Sequence, residues 1–282
     1  MNKLPDHAIA PGFFADPAYV PQLTAMGLTT LDSVFAFERL RDVKTKKMAA
    51  YRSRTCFTLP DNTVVYLKRY SRTPILRQLS NWIDHCRREC TAFYDGQHSD
   101  ELSSAGISVP HTIAWGYEWK GLFEKRSFIM IRQIADAHSL EERLPDFMRD
   151  FSPAAAQQRK AFIAQVADFI RRFHATGCRH RDLYLCHLFL DVHGMLHLID
   201  LHRVFKPRLL GERYRLKDLT QLYYSAPGRV VSRADRLRFY LCYRGKKQLT
   251  TFDKWFISRI KRKAAQIAAR DRTCGRIVPF ES

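Results

Sequence analysis

The 282-residue chain is 46% hydrophobic and 27% charged, enough apolar material for one or two buried cores, so it reads as globular rather than disordered or fibrous. Its net charge of +19 favours an anionic partner such as a nucleotide, a nucleic acid or an acidic lipid or glycolipid surface, without choosing among them. Seven irregularly spaced cysteines exclude a secreted disulfide framework, no apolar run approaches the ~18 residues of a membrane span, and "MNKLPDHAIAPGFFADPAYV" holds prolines and acids where a signal peptide has an apolar core; a cytoplasmic chain with reduced thiols is expected.

Residues 1–33 are rich in proline and alanine, show little periodicity and read as an extension or cap. "VFAFERL", "YRSRTCFTL" and "TVVYLKRY" then read as β-prone runs, the last two joined by the turn "PDN" at 60–62, so three antiparallel strands are expected. In "LSNWIDHCRRECTAFYDGQH", Trp82, Cys86, Cys90 and Phe93 fall at i, i+4, i+8 and i+11, which predicts one helix with an apolar face. "GISVP" marks a turn, and "HTIAWGYEWKGLFEKRSFIMIRQI" reads as a further hairpin. The polar stretch "ADAHSLEERL" breaks the strand pattern, placing a boundary near 132–136. "SPAAAQQRKAFIAQVADFIRRFHATG" is a helix with a Ser-Pro start and a glycine stop, and after residue 204 "RLKDLTQLYYSA", "SRADRLRFYLCYRG" and a basic final segment near 251–270 are helical in pattern.

Between these helices lies "GCRHRDLYLCHLFLDVHGMLHLIDLHR", residues 177–203: a loop, two short strands about the turn "DVHG", and Asp200 at the strand end. A tight hairpin brings Asp182 and Asp200 to one cleft, where one carboxylate can align or deprotonate an attacking hydroxyl while the other holds a divalent cation against phosphate oxygens.

"HRDLYLCH" resembles the kinase catalytic loop H-R-D-x-x-x-x-N, and "IDLHR" stands where D-F-G would. The resemblance implies Asp182 as catalytic aspartate, Asp200 as Mg2+ ligand, and His187 at the place of the asparagine that binds a second metal. "VVYLK" is similar to the strand V-A-I-K, implying Lys68 on the α/β-phosphates of ATP, and "RRECTAF" supplies Glu89 as its helical ion-pair partner. Together with "KDLTQLYYSA", the set resembles the lipopolysaccharide kinase family of the Kdo/WaaP type over roughly residues 34–270.

That resemblance implies an α+β, bilobal protein-kinase-like fold: an extension at 1–33, an antiparallel-sheet N-lobe at 34–132 with one main helix, and a mainly helical C-lobe at 133–282. It implies an ATP- and Mg2+-dependent kinase acting on a core sugar of lipopolysaccharide, heptose or Kdo, at the cytoplasmic face of the inner membrane. A protein or small-molecule kinase, and a non-catalytic kinase-like scaffold, remain as alternatives.

Where a glycine-rich phosphate loop should stand, "RDVKTKKMAAYRSR" has no glycine. Lys44, Lys46, Lys47 and Arg52 there are candidates for contact with phosphate or with the anionic acceptor. For His187, a loop hydrogen bond and metal contact are equally expected. His174, His180, His193, His197 and His202 fit no closed zinc pattern with Cys178 and Cys186. The final helix places Phe256, Ile260, Ala264 and Ile267 on one face, expected to pack on its lobe while the basic remainder attracts an anionic membrane surface. Nucleic acid is not expected, because no binding motif accompanies the charge; oligomeric state is left open.

Overall fold

The computed structural model describes residues 3–38, 41–42, 49–148, 150 and 152–281. The chain divides into two compact units, one of residues 1–104, 109–135 and 200–205, the other of residues 105–108, 136–199 and 206–282. The first is sheet-rich and the second mainly helical, which is the expected α+β class.

In chain order the first unit contains β1 (Ala8–Ala10), β2 (Phe13–Ala15), α1 (Val20–Ala25), α2 (Leu31–Ala36), β3 (Arg41–Asp42), β4 (Arg52–Thr58) and β5 (Val64–Ser71). Then come α3 (Ile75–His85), α4 (Thr91–Gly96), α5 (Ser99–Ser104), β6 (Thr112–Lys120) and β7 (Phe123–Arg132). The strands form one antiparallel sheet in the order β1-β2-β6-β7-β5-β4-β3. The period-2 alternation of β5 sorts its side chains between two cores. Val65 and Leu67 join Phe128, Met130, Leu23 and Val34 on one face, while Tyr70 joins Ile129, Trp115, Cys90 and Ala92 on the other. Lys68 shares the register face of Tyr70, and this parity points its amine toward α4.

Three expectations are corrected here. Residues 8–15 are two sheet strands: β2 pairs Phe13 with Gly116 of β6, where a Cβ would meet the Gly12 carbonyl oxygen at 2.6 Å. The described part of "VFAFERL" is not a strand: Val34 to Ala36 lie in α2, which Thr30 and Ser33 start with a reciprocal capping box. Leu31, Val34 and Phe35 fall at i, i+3 and i+4, a helical spacing that outweighs their β-prone residue types. The single helix expected over 79–98 is two, because Cys86 takes a left-handed conformation (φ 49°) that ends α3, and α4 begins five residues later.

The second unit holds β8 (His138–Ser139), α6 (Leu140–Met148), α7 (Pro153–Ala175), β9 (Leu188–Leu190), β10 (Leu196–Leu198), α8 (Gly211–Ser225), α9 (Arg233–Arg244) and α10 (Thr251–Thr273). Ser152 caps α7, Pro153 opens it, and Gly177 at φ 85° follows its end. Its buried stripe of Phe162, Ile163, Val166, Phe169, Ile170 and Phe173 recurs at helical spacing, each large side chain contributing roughly 1.5–3 kcal/mol. β10, β9 and β8 form a small antiparallel sheet, and its β9–β10 hairpin presents the segments that flank it. On α10, Phe256, Ile260, Ala264 and Ala268 are buried as one packed stripe, while Phe252 and Trp255 of its first turns are about half exposed.

Candidate active site

Within the sheet-rich unit, four side chains converge on two carboxylates. Lys68 Nζ, almost fully buried, lies 3.2 Å from each carboxylate oxygen of Asp95 and 2.9 Å from Asp200 Oδ1. Asp95 is buried on α4 and also accepts a 2.7 Å hydrogen bond from the Tyr70 hydroxyl. Asp200 Oδ1 is further approached by His202 Nδ1 at 3.0 Å and Arg52 Nη2 at 3.4 Å. Burial alone would raise the Asp200 pKa, but the neighbouring Lys68, His202 and Arg52 hold its carboxyl well below the usual range. The same crowding raises Arg52: burial opposes its charge, and Tyr70, Asp95 and Asp200 outweigh that penalty. Burial, helped by Asp95, pushes the Tyr70 phenol well above its ordinary value.

Asp200 itself sits at φ 60° and ψ 58°, a region costing a non-glycine residue roughly 1–2 kcal/mol. The ion-pair arrangement around it supplies the compensation. Asp95, Asp200 and His202 each offer one ligand atom, and these atoms lie within 4.8 Å of one another. Lys68 and Arg52 balance the formal charge of the two carboxylates, which are hard oxygen donors of the kind a divalent cation takes.

The Glu89 expectation fails. Glu89 precedes α4 instead of lying on a helix, and its carboxylate pairs with Arg87 Nε at 2.8 Å. Lys68 takes its partner from Asp95 instead, one and a half turns further on. The expected single helix had put Glu89 on the wrong surface; the break at Cys86 removes it. Arg52 falls among the acids of this cluster, while Lys44, Lys46 and Lys47 lie outside the described residues.

Asp182 and His187 belong to the other unit, on the loop before β9. Asp218, wholly buried on α8, accepts the backbone N–H groups of His180 and Arg181, both at 2.8 Å. Gln221, one turn on, accepts the Leu183 N–H at 3.0 Å and donates to the Arg181 carbonyl at 3.0 Å and to Asp182 Oδ1 at 3.4 Å. Ser225 accepts the Leu185 N–H at 3.0 Å. These three residues, at i, i+3 and i+7, form a polar row among the buried positions of α8 that holds the loop by its backbone. The sequence "KDLTQLYYSA" carries no motif that assigns these residues a role; their signal is a polar row at helical spacing.

Below Asp218, the ring of His174 lies 3.2 Å away through Nε2 and 2.9 Å from the Tyr243 hydroxyl through Nδ1. Burial lowers the His174 pKa against the pull of Asp218, so the neutral ring donates from Nε2 and accepts at Nδ1. His180 is fully buried and donates from Nε2 to the Ile199 carbonyl at 3.0 Å, fixing the residue before Asp200. His187 Nδ1 bonds the Asp182 carbonyl at 2.6 Å, which makes Nε2 the ring's acceptor atom. Arg181 at φ 64° is the second left-handed residue at a motif position.

A model of the lipopolysaccharide kinase (Kdo/WaaP) family matches residues 41–243. The lipopolysaccharide core heptose(I) kinase WaaP of Pseudomonas aeruginosa is 28% identical over 183 residues, spanning 62% of this chain and 68% of that protein. Its namesake from Escherichia coli K12 is 27% identical over the same length and the same shares. Among solved structures, WaaP in complex with acyl carrier protein is alike in fold, with a TM-score of 0.66 at 23% identity over 90% of this chain and 98% of that one. Because the family match spans well over half of the chain and takes in Lys68, Asp95, Asp182 and Asp200, the chain belongs to the lipopolysaccharide kinase (Kdo/WaaP) family and is a phosphotransferase.

Proposed function

We propose that this kinase transfers the γ-phosphate of ATP to a hydroxyl of an inner-core heptose of lipopolysaccharide. The observation that carries the chemistry is the buried Lys68 held between Asp95 and Asp200. An amine fixed between two acids is preorganised to meet phosphate oxygens, and Asp95 keeps it in place when Asp200 turns to a cation. Arg52, at the same carboxylate, supplies a second positive group where a glycine-rich loop is missing.

Asp200, with Asp95 or His202, would hold Mg2+, which when bound neutralises charge on the transferring phosphoryl group. His187 is the candidate for a second contact through Nε2. Asp182 orients the acceptor hydroxyl and accepts its proton, and the amide of Gln221 sets the direction of that carboxylate. Asp218 contributes by fixing the backbone from which Asp182 extends.

The names of the relatives support heptose over Kdo as the acceptor. The test is label transfer from γ-labelled ATP to dephosphorylated lipopolysaccharide core in the presence of Mg2+, beside Asp182→Asn. We expect labelled glycolipid that falls by about 10²–10⁴-fold in the variant while nucleotide binding persists. Label retained in Asp182→Asn would remove Asp182 from its role, and label on Kdo alone would move the acceptor.

A second observation favours a carrier-protein partner. The helical unit holds a partly open, mainly apolar cavity of about 800 Å³ lined by Leu144, Met148, Phe162, Val166, Leu222 and Ile260 among others. That volume and lining suit an acyl chain, and the solved relative is a complex with acyl carrier protein. Acylated carrier protein is expected to raise the thermal midpoint of this chain progressively, with the logarithm of its concentration above Kd, and the unacylated form is not.

A further inference from the structure

α3 is inside out. Its polar Gln78 is the buried residue, donating to the Thr73 carbonyl at 2.8 Å and accepting the Glu124 N–H at 2.8 Å, so a side-chain amide ties the helix to β7. Its large apolar residues point the other way: Ile75 is 51% exposed, Leu76 82%, Leu79 38% and Ile83 76%. Positions 75, 76, 79 and 83 share one helical face, so the exposed side chains form a stripe rather than a scatter. Leu122, at the β6–β7 turn and 68% exposed, lies beside this element, because Arg88 just past α3 donates to the Leu122 carbonyl at 2.8 Å.

The surroundings of the stripe choose its occupant. Arg72, Arg77, Arg87 and Arg88 are all exposed on or beside α3, against the acids Asp84 and Glu89, the latter paired with Arg87 at 2.8 Å. Arg88 stacks on Trp119 and Trp82 at 4.7 and 5.6 Å, and Trp82 stacks on Phe123 at 5.7 Å. Exposed aliphatic side chains, tryptophans and a collar of arginines together match the boundary between acyl chains and anionic headgroups.

We propose that α3 and the β6–β7 turn seat this protein on an anionic lipid bilayer, with Leu76, Ile83 and Leu122 entering the headgroup boundary. This surface is separate from the basic final helix, whose stripe of Phe256, Ile260, Ala264 and Ala268 is packed on its own unit and whose first turns display Phe252 and Trp255. The inference stands independently of phosphoryl transfer and of its acceptor.

The full chain is tested by co-sedimentation with vesicles of equal parts phosphatidylcholine and phosphatidylglycerol, and with phosphatidylcholine alone. Wild type should bind the anionic vesicles and bind the neutral ones much more weakly. Leu76→Ser/Ile83→Ser should lower anionic binding by about tenfold or more, since full burial of either side chain is worth at least a factor of ten. Leu122→Ser, on a different element, should lower it in the same direction with an unchanged thermal midpoint. Equal binding by the double variant overturns the proposal, as does binding lost only on charge reversal at Arg262 and Arg270 of α10. Absent wild-type binding, equal affinity for neutral vesicles, or concentration-dependent self-association abolished by the double variant would likewise overturn it.

Discussion

Lys68 shows how one strand position decides a site. Parity along β5 sends it to the face of Tyr70, and there it meets Asp95 rather than the glutamate that motif spacing had suggested. Removing one partner of a buried ion pair typically costs about 3–5 kcal/mol, and less here, because Lys68 keeps Asp200 at 2.9 Å. Asp95→Asn is therefore expected to lower the thermal midpoint and to raise the KM for ATP at least about tenfold through the misplaced amine, given ~1.4 kcal/mol per factor of ten. Glu89→Gln, whose carboxylate pairs with the exposed Arg87, should leave both within about twofold, since surface pairs contribute ~0–1 kcal/mol. Thermal unfolding and ATP titrations on the two variants separate the assignments; the reverse ranking would return the ion-pair role to Glu89.

At the scale of elements, α8 acts on the catalytic loop through Asp218, Gln221 and Ser225. Asp218→Ala strips acceptors from two buried N–H groups, each costing about 1–3 kcal/mol when left unsatisfied, and should reduce turnover together with stability. His174 beneath it gives the pH signature. Its folded pKa lies below the ordinary 6.5, so the unfolded chain takes up its proton first as pH falls. Its contribution is therefore complete above about 6.5 and is lost as pH drops through that value toward the lower folded pKa. Denaturant unfolding at a series of pH values should show a smaller loss of stability between about pH 7 and 5 in His174→Gln than in wild type. Much of this was legible in sequence. The α7 helix with its cap and stop, the β4–β5 and β6–β7 hairpins, and the positions of Lys68, Asp182 and Asp200 all follow from periodicity and motif. The Asp95 pairing was hidden because it depends on where Cys86 turns the chain, a single left-handed residue with no glycine to announce it. The strands at residues 8–15 were hidden for a related reason: at three residues each they carry no measurable alternation, and pairing defines them, β1 with β2 and β2 with β6.

For the whole molecule, charge is the property that composition gave directly and that structure distributes. The surplus of +19 includes the exposed Lys254, Arg259, Lys261, Arg262 and Arg270 along α10, whose buried side anchors the helix through Phe256 and Ile260. Such a field raises the encounter rate with an anionic acceptor and falls away as salt shortens the Debye length, from about 10 Å at 0.1 M to about 3 Å at 1 M. The charges of the Lys68 cluster are buried and are screened far less. With delipidated, anionic core oligosaccharide as acceptor, so that bilayer seating plays no part, the acceptor KM should rise severalfold as KCl goes from about 0.05 to 0.5 M. Turnover at saturation should change by less than about twofold over that range, because positioning inside the site is not a long-range effect. Arg262→Glu/Arg270→Glu should start from a higher acceptor KM and respond less steeply to salt, with the ATP KM unaltered. Salt-independent acceptor KM in the wild type would show that the positive surface serves some interaction other than capture of the sugar substrate.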